Sequence, residues 1–120
     1  MPTGNENWIL DEGDKIIQKM AGSSFDNLTV WELLVYCLWV ADYGMTNAGD
    51  LDAASDVYAE FQTTALKCAQ SLSLRKSVEA FSMTRSNLEK VYAGLFDAIC
   101  EELQTTQLTS RNDDTGASCK

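Results

Sequence analysis

With 120 residues, 45% of them hydrophobic, and a single proline, the chain has the content of one domain built around one core. That is too apolar for a disordered protein and too short for two independent cores. A net charge of −9 disfavours direct contact with nucleic acid phosphates, and the absence of histidine excludes Cys/His zinc sites and Cys–His nucleophile pairs.

Residues 1–7 are polar and are expected to be loose, with Trp8 as the first anchor. The start, Met1-Pro2-Thr3-Gly4-Asn5-Glu6, lacks the basic region and apolar run of a secretion signal, so a cytoplasmic location is expected. Ile9, Leu10, Ile16, Ile17 and Met20 predict a first helix over about Ile9 to Ala21, weakened by Gly13. Gly22-Ser23-Ser24 reads as a loop.

Thr29-Val30-Trp31-Glu32 is a capping box, which marks the start of the second helix. Asn27-Leu28-Thr29 also has the form of a glycosylation sequon, but capping accounts for Thr29 without a secreted context. From Val30 to Ala41 the helix is apolar almost all round, which predicts the central element, and it is too short for a bilayer span of about 20 residues. Gly44 is expected to end it in a left-handed turn.

A third helix is predicted from Asp50 to Leu72. Ala54, Val57, Tyr58, Phe61, Ala65, Cys68, Ala69 and Leu72 form its apolar stripe, with Asp52, Asp56, Glu60, Thr63 and Lys67 opposite. A short helix follows over Arg75 to Phe81. Ser86-Asn87-Leu88-Glu89 is a second capping box, opening a helix to about Leu103 that buries Leu88, Val91, Tyr92, Leu95, Phe96, Ile99 and Leu103. The polar stretch from Thr105 onward is expected to be disordered. Cys37, Cys68 and Cys100 fall within helical patterns and are expected to be small buried hydrophobes in a reducing compartment, with Cys119 in the tail. The predicted architecture is all-α, an irregular bundle of four to five helices over 1–104 with a disordered tail over 105–120.

Charge is distributed unevenly along this layout. Residues 1–60 hold eleven acids and two bases, Lys15 and Lys19, whereas residues 61–120 hold seven of each. No base occurs between Lys19 and Lys67. On a continuous helix Asp52, Asp56 and Glu60 would be about 6 Å apart along the axis, near the phosphate repeat of roughly 6 to 7 Å along a nucleic-acid strand. Such a row suits a basic surface that normally takes DNA, although acids opposite an apolar stripe are also an ordinary solvated face. Arg75, Lys76, Arg85 and Lys90 are expected to act as ion-pair partners.

No catalytic constellation emerges. Asp50-Leu51-Asp52 followed by Asp56 resembles a calcium loop only in outline, because Ala54, Ser55 and Phe61 occupy positions that need a ligand, the turn glycine and the terminal Glu. Asp11-Glu12-Gly13-Asp14 and Glu101-Glu102 lack the spacing of magnesium-binding acid boxes, and no glycine-rich phosphate loop or nucleophile elbow is present. Trp8, Trp31 and Trp39, with Tyr36, Tyr43 and Tyr58, are expected in the core. A non-enzymatic protein without cofactor or metal is therefore expected.

One stretch carries a resemblance. Tyr36-Cys37-Leu38-Trp39-Val40-Ala41-Asp42-Tyr43, leading into Thr46-Asn47-Ala48-Gly49-Asp50-Leu51, resembles the small helical bacterial family named for a neisserial DNA-mimic protein. In that family a helix ends in a turn of approximately V-N-N-G-G-F. Here Ala48 stands for the first glycine and Leu51 near the aromatic position, and an aromatic such as Phe81 follows in the same order. The resemblance implies a helical fold and, as in the family's characterised member, an acidic surface that occupies a transcription factor's DNA site. The residues expected to bind a basic, nucleic-acid-binding protein partner are Asp42, Asp50, Asp52, Asp56 and Glu60. The competing expectation is a structural protein that forms a homodimer through apolar surface, its acids merely solvated.

Overall fold

The computed structural model describes residues 4–21 and 28–116, with side chains to residue 106. Among these residues it is all-α, with six helices and no strand. The expected loop at 22–24, Asn27 of the sequon and Cys119 lie outside the described residues.

Helix α2, Val30–Asn47, is the axis of the bundle, and α1, Gly4–Ala21, α3, Leu51–Val57, α4, Phe61–Leu72, and α6, Arg85–Gly116, pack against it. Its start follows from local chemistry. Thr29 Oγ1 accepts from the Glu32 amide at 3.1 Å, and Glu32 Oε1 accepts from the Thr29 amide at 2.9 Å. Its apolar circumference buries Leu34, Val35, Cys37, Leu38, Val40 and Ala41 completely, which no one-sided helix could do.

The end of α2 differs from expectation. Gly44 remains helical, and the chain turns at Gly49, whose φ of +78° is the left-handed value that glycine adopts without strain. The Gly49 amide reaches back to the Gly44 carbonyl at 3.1 Å. Gly44 is needed for proximity instead: a Cβ there would stand 2.6 Å from the Ala54 amide nitrogen and 2.8 Å from the Asp50 carbonyl oxygen.

The single helix expected over Asp50 to Leu72 is two helices. At Tyr58 the backbone extends to φ −151°, ψ 103°, and α4 begins only at Phe61. Tyr58 is turned inward by the break, packing on Tyr36 at 6.0 Å between rings and sharing a 3.0 Å hydroxyl contact with Thr64. Val57, placed on the buried stripe by periodicity, is 41% exposed as a result. A stretch of Ser, Asp, Val and Tyr is weakly helical, so these tertiary contacts outweigh its continuation.

Two further boundaries moved. Helix α1 begins at Gly4, so residues 4–7 are helical, whereas a loose segment was expected. Helix α6 continues past Leu103 to Gly116, so the helix runs into the segment expected to be a disordered tail. The N-terminal cap of α6 is Thr84, whose hydroxyl accepts from the Asn87 amide at 3.2 Å, and the expected Ser86–Glu89 box does not form. Glu89 instead caps α3, accepting from the Leu51 amide at 2.8 Å. Glu102 does the same for α5, Arg75–Phe81, receiving the Lys76 and Ser77 amides at 2.8 and 3.0 Å.

Candidate functional site

Only part of the expected acidic set lies on the surface. Asp50 is the N-cap of α3, its Oδ1 accepting from the Ala53 amide at 3.0 Å, and is half-buried. Asp52, Asp56 and Glu60 are exposed, as the solvated side of the helical pattern requires. Asp52 and Asp56 keep the helical spacing of about 6 Å on α3. Glu60 lies beyond the extended Tyr58, so the three carboxylates do not form one straight row.

The cations around this surface are few. Arg85 Nη1 approaches Asp52 Oδ1 at 3.4 Å while its guanidinium lies 5.5 Å from the centre of the Phe61 ring. With the Asp52 side chain 83% exposed, this pair contributes under about 1 kcal/mol and neutralises little. Among the described residues, no base forms an ion pair with Asp56 or Glu60. Lys19, the last base before the gap, is committed elsewhere, bonding Glu32 Oε1 at 2.8 Å and tying the end of α1 to the start of α2. Burial pushes the Glu32 carboxyl up, but hydrogen bonds from Lys19 and the Thr29 amide outweigh it and hold the group below its ordinary range.

Asp42 corrects the expected set. It is 4% exposed and directed into the bundle, where Asp42 Oδ1 accepts from the Tyr92 hydroxyl at 3.0 Å. The side chain of Glu6, from the first turns of α1, completes the cluster by hydrogen bonding to Asp42. That bond, then burial, then repulsion by the Asp42 charge, raises the Glu6 carboxyl to about 7. Burial first, then the Asp42 charge, pushes the Tyr92 phenol well above its ordinary value.

Around this pair the α1–α6 junction is closed by amides. Asn5 Nδ2 donates to Asp97 Oδ1 at 3.0 Å, and Gln104 Nε2 donates to Asn5 Oδ1 at 2.9 Å. Trp31 donates its indole N–H to the Leu103 carbonyl at 3.0 Å and meets the Trp8 ring edge-on at 6.3 Å. Sequence reasoning missed the cluster because Glu6 and Asp42 look like any other acids in an acidic half. The one available signal was Asp42 itself, an acid closing the most apolar run of the chain.

Cys37, Cys68 and Cys100 are buried as expected, and burial lifts the Cys37 and Cys100 thiols well above their ordinary range. Among the described residues no helix is long and apolar enough to cross a membrane. Comparison with family models, curated proteins and solved structures returned no match.

Proposed function

We propose that this protein is a non-enzymatic acidic binding module that engages a basic partner of the nucleic-acid-binding kind through Asp52, Asp56 and Glu60, in the manner of a DNA mimic. The observation that carries this proposal is the exposed acidic group on α3 and at the head of α4, within an interval of the sequence that holds no base. Asp50 frames the surface from its capping position, and Asp42 has no part in it. Exposed carboxylates with, among the described residues, one weak counter-ion in Arg85 present an attractive field to a cationic surface, and such a field speeds association and selects the partner's charge.

The test is capture from native lysate with the wild-type chain and with Asp52, Asp56 and Glu60 all changed to Lys. Capture of basic proteins should weaken with salt, be competed by duplex DNA and be lost on charge reversal. Capture that survives the reversal and is indifferent to salt refutes the proposal. A salt-insensitive homodimer in sedimentation would instead support the structural alternative.

A further inference from the structure

We propose that the concave surface around α5 is a binding site for a small phosphorylated molecule that also carries hydroxyl groups, of the sugar phosphate kind. Two concavities there share Arg75 and Glu79. The larger, about 550 Å³, lies where α4 hands over to α5 and adds Gln70, Ser73 and Val78 to its lining. The smaller, about 350 Å³, lies between α5 and α6 and adds Lys76 and Glu102. Both volumes fall in the range of roughly 300–1,000 Å³ that small-molecule sites occupy.

The shape is fixed by local chemistry. Ser73 ends α4 in left-handed backbone at φ 58°, and the Leu74 amide returns to the Ala69 carbonyl at 3.0 Å. Leu74 is buried and pins this turn to the core, while Ser73 and Arg75 on either side of it stay exposed. From the other side α5 is held by Glu102, whose Oε2 accepts from the Lys76 amide and whose Oε1 accepts from the Ser77 amide and hydroxyl. Both walls thus stand in place before a ligand arrives, which lowers the cost of binding.

The lining sets the ligand's chemistry. Arg75 and Lys76, which the sequence offers as ion-pair partners, form no ion pair among the described residues. Their guanidinium and ammonium groups are donors only, and side by side they suit a dianionic phosphate better than a single carboxylate. Glu102 competes little for them, because its two oxygens are turned to the backbone and hydroxyl of α5. Glu79 is an acceptor when ionised, so it opposes a bare anion and favours a ligand whose hydroxyls donate to it. Gln70 and Ser73 can each donate and accept, and Val78 offers apolar contact for a carbon skeleton. The twelve residues of α4, about 18 Å at 1.5 Å each, separate this site from Glu60, so it does not depend on the acidic surface.

The experiment is a nitrogen-15 NMR titration of the full chain with ribose 5-phosphate, and with inorganic phosphate and ribose as the two halves of that ligand. Amides of residues 70–79 should shift saturably with ribose 5-phosphate, about tenfold more tightly than with inorganic phosphate, and ribose alone should leave them unmoved. Arg75→Gln combined with Lys76→Gln should weaken ribose 5-phosphate by at least about tenfold, since each removes a charge-assisted bond. Glu79→Ala should bring ribose 5-phosphate and inorganic phosphate towards equal affinity, by weakening the first and strengthening the second. All three side chains are exposed, so these changes leave the core intact. Three results overturn the site: shifts that do not saturate, inorganic phosphate bound as tightly as ribose 5-phosphate in the wild type, or affinity unchanged by the Arg75 and Lys76 substitutions.

Discussion

Gly13 and Gly94 are both helical glycines, and changing each to alanine should move stability in opposite directions. In the interior of a helix, Gly→Ala gains about 1 kcal/mol from propensity alone. At Gly94 nothing lies within 4 Å of the added Cβ, so the gain should appear in full. At Gly13 the Cβ would stand 2.3 Å from Trp39 Cδ1 and 2.6 Å from Trp39 Cγ, where a carbon contact needs about 3.5 Å. Trp39 cannot simply swing away. Its ring is stacked between Tyr36 at 6.0 Å and Tyr43 at 5.7 Å. Overpacking of this kind costs about 1–3 kcal/mol, so Gly13→Ala should be net destabilising by up to about 2 kcal/mol. Urea unfolding followed by far-ultraviolet circular dichroism would measure both, and the two midpoints should straddle the wild type. Adding Trp39→Ala should remove most of the Gly13→Ala penalty, because both clashing atoms, Cγ and Cδ1, are gone. If both single substitutions stabilise equally, α1 does not approach Trp39 as described and the reasoning fails.

Other substitutions probe the caps and the core. Glu102→Ala strips acceptors from the Lys76 and Ser77 amides and the buried Ser77 hydroxyl, and should cost about 2–3 kcal/mol, whereas Glu102→Gln should recover most of it in the same urea assay. Ser73 ends α4 at φ 58°, ψ 41°, so Ser73→Gly should stabilise by about 1 kcal/mol, read as a rise in Tm of a few degrees. Iodoacetamide at pH 8 should leave Cys37 and Cys100 unmodified in the native protein and label both in denaturant, because burial disfavours their thiolates. Rapid stoichiometric labelling of either under native conditions, seen by peptide mapping, would contradict their burial.

Some of this molecule is written in short stretches of the chain. The Thr29–Glu32 cap and the enclosed apolar helix it opens depend on residues within one or two turns of each other, so composition and spacing alone specify them. The three buried cysteines follow from the same periodicity. The exposed acids Asp52, Asp56 and Glu60 were equally legible, although the break at Tyr58 was not, since an apolar stripe carries on through an interruption that Tyr36 and Thr64 impose from outside.

The opening excess of acid in the first half of the chain thus divides into groups that a linear sequence could not separate. Glu32 is spent on a cap and on Lys19, Asp50 on a cap, and Asp42 on a buried contact, while Glu89 and Glu102 cap helices far from their own. Asp42 meets Glu6 and Tyr92 across 36 and 50 positions of the chain. The sequence by itself determined that the protein is helical, acidic and built on α2, because those properties are set by local periodicity and composition. Which acids face water and which are buried was decided only by tertiary structure, because a carboxyl group's surroundings are the desolvation and hydrogen bonds that distant helices bring to it.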